Sequence, residues 1–508
     1  MFWPNLGWAD EKANVIDIGS RRELFVDQHL IERLDGVRLV LHRPQAQEVT
    51  LSLDKPWEKL GPGYVAVLQD GDRYRMYYRA LPDGEGKDEQ RQVTCVVESQ
   101  DGIHWTRPKL GLYESGGSKD NNICWRGAIS HNVTPFVDTN PDCPADQKYK
   151  AVGGVKWTTG GLWALASPDG LHWRKLFDKP LPLTGNFDSQ NVVFWDSKIG
   201  QYRGFWRDHR HNDPKIPDGR DVKMSTSKNF VDWSEQVWLD YEPGRDGTAH
   251  RPEDNQSASQ FYTNGVQPYY RAPHILLGFP LRYIDRGWTA STDSLPDRRR
   301  RRELADEGIG GGRPTRLGTA ITDTLFMASR DGRQFHVWPE AIIPPGIQRS
   351  GSWFYGSGFK AIGMVETPSK LDSAVRELSV FVSENARQNT PQRLRRHTFR
   401  LDGFASLNAS LTGGTAVTKP LVFQGDRLEI NFSTSAGGSL RVEIQDADGK
   451  AVPGFAMDDC NLQYGDQIDR VVSWKSGADV SQLAGEPVRV RFELKDADLY
   501  SFHFTAKE

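Results

Sequence analysis

Four acidic residues, Asp54, Glu58, Asp188 and Glu253, stand just ahead of apolar strands and are separated from one another by long stretches of chain. Cleavage of a glycosidic bond needs two carboxyl groups on opposite sides of the anomeric carbon. One is protonated to help the leaving group; the other is ionised, as nucleophile or as base toward water. Near these acids, Trp57, Tyr270 and Tyr355 offer rings for stacking on sugar faces, and His131, Gln190, Asn191 and His274 offer hydrogen bonds. Arg207, Arg271 and Arg282 could anchor hydroxyls, carboxylates or sulfates. Each of these residues also has a purely structural role open to it, as turn former or ion-pair partner. Arg79, Arg207 and Arg282 follow strands at equivalent places, where ion pairing is at least as common as ligand binding. Asp188 leads the acids because it opens a strand amid Phe187, Ser189, Gln190 and Asn191. Asp54, before a Lys-Pro turn, reads as more structural than Glu58. Glu58 and Asp188 are therefore the first pair to test. Their separation decides the outcome, roughly 5–5.5 Å for retention and 6.5–9.5 Å for inversion.

The elements that must position these residues repeat. Ser99-x-Asp101-Gly102-x-x-Trp105 returns as Ser167-x-Asp169-Gly170-x-x-Trp173, more loosely as Ser227-x-Asn229-Phe230-x-x-Trp233, and as Ser329-x-Asp331-Gly332-x-x-Phe335. Asp-Gly supplies a tight turn, the Ser and Asp side chains can bond turn amides, and the ring covers the sheet end, so Asp101, Asp169 and Asp331 are excluded as catalysts. A turn and a second strand precede each box, as in 70–78, 146–152 and 200–206. This recurrence predicts an all-β, five-bladed β-propeller with blades starting near residues 60, 130, 188, 260 and 352, four blades being the alternative. After residue 405, alternating strands such as 428–432, 440–444 and 488–494 predict a β-sandwich. The expected domains are 1–405, with residues 1–50 as an extension of the propeller, and 406–508. Residues 284–320 interrupt the fourth blade with five arginines, Arg298 to Arg302, and glycines from Gly308 to Gly312. They read as a solvated loop with one short helical turn, or alternatively as a lid lending arginines to an anionic sugar.

Composition narrows the function classes. Of 508 residues 37% are hydrophobic, and 49 glycines bring the sum into the ordinary globular range. A net charge of −3 gives no electrostatic footprint for nucleic acid. No apolar run approaches the roughly 18 residues that span a bilayer, so no membrane is expected. Met1 to Ala9 lacks a basic region, and no signal peptide is recognised: cytoplasmic as it stands, secreted or periplasmic if a leader was removed. The four cysteines show no metal spacing, and Cys95 in an apolar strand reads as a buried thiol. No cofactor is expected; a structural calcium is compatible but not demanded. The expected partner is carbohydrate, and oligomeric state has no signature.

Several stretches carry a family resemblance: 23–27 (ELFVD), 55–58 (KPWE), 74–78 (YRMYY), 187–191 (FDSQN), 270–274 (YRAPH), 401–404 (LDGF), 434–438 (TSAGG) and 496–500 (DADLY). In these the chain resembles bacterial proteins, frequent in planctomycetes, that are described as similar to the N-terminal domain of glycoside hydrolase family 32. More broadly it is similar to the five-bladed propeller glycosidases of families 32, 43 and 68. That resemblance implies an acid at the mouth of blade one (Glu58 or Asp54) and another at the mouth of blade three (Asp188). The chain lacks those families' Asn-Asp-Pro-Asn, Arg-Asp-Pro and Glu-Cys motifs, so fructan specificity is not implied. The expected function is a glycoside hydrolase acting on a plant or algal oligo- or polysaccharide. The alternatives are a non-catalytic glycan-binding propeller, or a phosphorylase or lyase on the same fold.

Overall fold

The computed structural model describes residues 15–59, 64–84, 87–211, 219–242, 260–307 and 316–506. The chain is all-β and divides into two compact units, residues 43–400 and a smaller unit made of residues up to 42 and from 401 onward. Among the described residues no helix is long and apolar enough to cross a membrane.

The larger unit holds five sheets in chain order. Strand pairing in them is antiparallel except in the fourth, where Asp240–Glu242 runs parallel to Gln334–Ile343; Gly71, at φ +63°, sits in the two-residue turn that pairs Asp70 with Arg73. The first sheet is Val65–Asp70, Arg73–Ala80, Val93–Ser99 and Ile123–Arg126. The second begins with Thr134–Val137 and the third with Val192–Asp196, followed by Gln201–Arg210 and Gly219–Ser227. The fourth has seven strands, among them Gln260–Phe261, Gln267–Tyr269 and Leu281–Asp285. The fifth joins Val365–Pro368, Arg376–Glu384 and Arg393–Phe399 to Gln45–Ser52, so strands from both ends of the unit share one sheet.

The inner ends of these sheets meet. Ile362 exchanges backbone hydrogen bonds with Val65 and Val67 (2.9 and 2.7 Å), and Gly363 N–H donates to Gln267 Oε1 (3.0 Å). A cavity of about 670 Å³ is lined by 67–69, 134–137, 192–194 and 267–268 of the first four sheets and by 362–364 just ahead of the fifth, with Glu366 and Arg376 from the fifth sheet itself.

The repeated boxes act as foreseen within each turn. Ser99 Oγ accepts from Gly102 N–H, and Asp101 Oδ1 from Ile103 and His104 N–H at 2.8 Å. The other boxes repeat this, with Asn229 replacing the Asp in the third. They also reach a neighbouring sheet: Arg75 of the first sheet donates to Asp169 O, and Arg203 of the third donates to Asp331 O (2.8 Å).

Residues 284–320 depart from the expected loop. Arg298–Glu307 is a ten-residue helix. Arg301 is fully buried and donates to the carbonyls of Pro296, Gly318, Ser352 and Trp353. Arg298 and Arg302 pair with Asp293, and Arg299 and Arg300 with Glu303. These contacts tie the run of arginines to the insertion itself and to the backbone around it. Gly308 to Gly312 lie outside the described residues.

The smaller unit corrects the expected boundary. Ile16–Gly19, Glu23–Leu24, Ile31–Asp35 and Val37–Leu41 pair with strands after residue 400, not with the larger unit, because Ile18, Phe25, Leu30 and Val37 complete that unit's apolar core. The pairing is one ten-stranded network where a sandwich of residues 406–508 was expected. Arg427–Asp446 is twenty residues long and breaks register at Asn431/Phe432 and Thr434/Ser439, so one strand continues through two stretches of the network. All four cysteines are free thiols.

Candidate functional site

Asp188 is presented by a loop that the fold holds in a costly shape. Phe187, buried, has φ +61°, a region a bulky residue enters only when its surroundings force it. The force is a set of amide clamps. Asn132 and Asn191 both donate to the carbonyls of Phe187 and Ser189 (2.7–3.0 Å). Ser189 Oγ donates to Tyr262 O (2.7 Å), and Gln190 Nε2 to Val65 O (3.0 Å). Gln190 and Asn191, expected to bind sugar, are thus buried scaffolding that fixes the acid between them and Phe187.

The Asp188 carboxylate keeps 30% of its surface open to solvent. Its Oδ1 lies 3.1 Å from His131 Nε2, on the short helical turn that ends before the second sheet. Burial pushes the Asp188 carboxyl up, but the His131 hydrogen bond and the charges of Arg207, His131 and Arg79 outweigh it and hold it at about 2. Asp188 is therefore ionised at any physiological pH. Arg79 donates to His131 O (3.2 Å) and lies over the Tyr64 ring at 4.9 Å. Tyr64 and Tyr262 share a hydrogen bond between hydroxyls (2.8 Å); burial first, then Asp188, raises both and keeps them neutral donors. Arg207 is buried, bonds Asn186 Oδ1 (2.5 Å) and faces the Tyr262 ring at 5.8 Å. Tyr355 packs edge-on against Tyr262 and Tyr283 at 5.7 and 5.3 Å.

Of the residues singled out in the sequence, Asp188, His131, Arg207 and Tyr355 come together here. Arg79, which the sequence placed with Arg207 as an ion-pairing arginine, and Tyr64, Arg220 and Trp157, which it did not single out, join them. Trp157 is 55% exposed and stands edge-on to His131 at 6.3 Å, an open indole beside the His131–Asp188 contact. The faint signal for Trp157 was an aromatic just past the second strand of its sheet, at the same end as His131; Tyr64 and Arg220 had only their places at strand starts.

The remaining candidates lie elsewhere. Glu58 is buried and fully engaged: Arg107 grips both oxygens (2.8 and 2.9 Å), Tyr78 donates to one and the Lys55 amide to the other (3.1 Å). None of these partners is among the residues hydrogen-bonded to Asp188. Asp54 is half-exposed beside Lys55 (3.0 Å); that hydrogen bond and the charges of Lys55 and Arg107 outweigh burial and leave its carboxyl low. Trp57 packs on the first sheet and donates to Asn122 (2.8 Å). Arg282 forms a two-pronged pair with Asp323 (2.8 and 2.6 Å). Tyr270 and Arg271 follow strand Gln267–Tyr269, at the end opposite to the one Asp188 shares with Tyr64, and His274 lies in the next strand. Tyr270 bonds Glu366 there. Glu253 lies outside the described residues.

In the smaller unit Glu429, Asp469 and His503 bring ligand atoms within 4.8 Å of one another, a geometry that could hold a metal. Arg22 already donates to Asp469 (2.5 Å) and contacts His503 (2.7 Å), so a fixed cation sits where an ion would.

No protein-family model matches the chain. The resemblance to the family 32 N-terminal domain thus finds no support there. The uncharacterized protein Rv1502 of Mycobacterium tuberculosis is 31% identical over 160 residues, 31% of this chain and 44% of its own length. The chain therefore spans less than half of the curated relatives it matches. Among solved structures it is similar to an N-acetylgalactosamine deacetylase from F. plautii in complex with blood group B trisaccharide, with 13% identity, coverage of 72% and 96%, and a TM-score of 0.41. It is also similar to the catalytic domain of a Coprinopsis cinerea GH62 alpha-L-arabinofuranosidase (11%, 70% and 97%, 0.38). A glycosyl hydrolase from Bacteroides ovatus gives 14%, 71% and 94%, and 0.39.

Proposed function

We propose that this protein is a glycoside-cleaving enzyme acting on a plant or algal oligo- or polysaccharide at the Asp188 site. One observation carries the reading: a carboxylate kept ionised, open to solvent and fixed on a strained loop, beside an exposed indole and a wall of tyrosines and arginines. Rings that stack on sugar faces beside a fixed charge are what an oxocarbenium-like transition state calls for. We read the five sheets as five propeller blades, their inner strands around the axial cavity and the site at the end where those strands begin.

In this reading Asp188 takes the role that needs a negative charge, nucleophile or base toward water. A group ionised down to about pH 2 cannot be the proton donor. Glu58, with both oxygens taken, is not that donor either; Glu253 is the remaining acid to test. Trp157 supplies a stacking face, and the Tyr64 and Tyr262 hydroxyls supply donors.

The test is mass-spectrometric product detection on a glycan panel that includes uronic and sulfated polymers, with and without inorganic phosphate. Asp188→Asn, Glu253→Gln and Glu58→Gln are run beside the unaltered protein. Products that vanish in folded Asp188→Asn support the reading. Glycan binding with no product from any protein overturns it and leaves a glycan-binding propeller.

A further inference from the structure

Beside Asp188 the third sheet carries more positive charge than its own acids satisfy. In the antiparallel pair Gln201–Arg210 with Gly219–Ser227, His209 stands opposite Arg220, and Arg207, two residues before His209, shares its face. The Arg207 and Arg220 guanidinium groups both lie against the Tyr262 ring, at 5.8 and 5.5 Å, and Arg220 also covers Tyr283 at 4.6 Å. Arg316 also hydrogen-bonds Tyr283.

Like charges this close repel, and burial strengthens the repulsion. Among the described residues no carboxylate hydrogen-bonds to either strand arginine: Arg207 is held by Asn186 Oδ1 (2.5 Å) and His209 (3.3 Å), Arg220 by Gln260 Oε1 (2.6 Å). Asp208, the nearest acid on the same strand, is taken by Lys223 (2.7 Å). Asp188 acts on Arg207 through space but is bonded to His131. The Nε of Arg207 and that of Arg220 are buried without a partner. Such donors are costly unless something accepts from them. Burial and the two arginines also hold His209 at about 4, as expected of a histidine among unneutralised positive charges.

We propose that Arg207, His209 and Arg220, with Arg316 beyond Tyr283, form a subsite for an oxyanion carried by the sugar, the carboxylate of a uronic acid or a sulfate ester. The inference rests on the glycan reading of the Asp188 site and names its substrate class. Guanidinium groups meet such oxyanions through paired N–H donors, and the buried Tyr262 and Tyr283 rings beneath them hold the guanidinium groups in place. The same chemistry would accept inorganic phosphate, so the experiment separates a sugar-borne anion from a free one.

The measurement is calorimetric binding of glucuronate and galacturonate oligosaccharides, their neutral counterparts, sulfated oligosaccharides and inorganic phosphate alone. It uses unaltered protein, Arg220→Gln and Arg316→Gln; the buried Arg207 is left in place because its loss endangers folding. We expect an anionic glycan to bind about tenfold or more tightly than its neutral counterpart, and the preference to collapse in Arg220→Gln. Phosphate that displaces the anionic glycan supports the oxyanion site, and tight binding of phosphate with no preference among sugars assigns the anion to a free source. Equal affinity for neutral and anionic glycans, or an anion preference untouched in both folded variants, overturns the proposal. Because binding is read without turnover, products lost in Asp188→Asn with no anion preference would leave the enzyme reading standing and remove this one.

Discussion

Asp188 and Glu58 show how two similar residues in a sequence reach opposite ends in a fold. Both precede strands beside aromatic neighbours, but Asp188 has one hydrogen-bonding side chain and open solvent, whereas Glu58 has three polar partners and none. Asp188→Asn should remove product formation by about a hundredfold or more while glycan binding persists, read by turnover and calorimetry. Its folded value of about 2 lies below the ordinary ~3.9. The ionised group therefore adds stability that is complete above about pH 4 and fades as pH falls toward 2, and Asp188→Asn should flatten the acid-unfolding curve in that window. Glu58→Gln should instead lower stability by about 3–5 kcal/mol in denaturant titration, because it leaves Arg107 without its buried counter-charge. Lys360 is buried and held at about 7 by burial alone. Between pH 7 and about 10 the unfolded chain carries that proton and the folded one does not, so stability rises with pH there; Lys360→Met should abolish the rise. The sequence disclosed Asp188, His131, Arg207 and Tyr355 because they open or follow apolar strands. It misled at Glu58 because its partner Arg107 stands 49 residues away, and nothing local announces such a pair.

Among the elements, the Ser-x-Asp-Gly boxes were legible as turns and illegible as contacts between sheets. The turn is written in adjacent residues, while Arg75 and Arg203 look like ordinary alternating strand positions. In the fold each donates to the carbonyl of a box in another sheet, Asp169 and Asp331 respectively. The glycines of the boxes record this contact. A methyl group on Gly170 would run into Arg75 and Tyr77 at φ +76°, whereas one on Gly200 at φ +62° would meet open space. Both substitutions carry the backbone cost of a left-handed residue, about 1 kcal/mol. Gly170→Ala should therefore cost clearly more than Gly200→Ala in thermal melting, and the excess should shrink when Arg75 is also replaced. The Arg298–Glu307 helix was equally hidden: five arginines in a row read as solvated charge, yet Arg301 is a buried anchor whose hydrogen bonds all go to backbone carbonyls scattered along the sequence from Pro296 to Trp353.

For the whole molecule, the fifth sheet matters most. It joins Gln45–Ser52 to Arg393–Phe399, so the two ends of the larger unit are paired in one sheet. A fragment of residues 43–400 should fold alone, melt cooperatively and retain the Asp188 site. A fragment of residues 53–400 should lose cooperativity, because an edge of the fifth sheet is then bare. Calorimetry on the two fragments checks this. Recurrent turns announced the number of sheets, but the partition of the chain was not readable, because strands 16–41 alternate like any others and only their distant partners assign them. That interleaving has a consequence for synthesis on the ribosome. The strands of 16–41 emerge first, yet their partners follow only after the roughly 360 residues of the larger unit. At about 5–20 residues per second the early strands wait on the order of 20–70 s with bare edges. Over that interval a nascent-chain holdase has its natural target, and the smaller unit becomes the last part of the molecule to close.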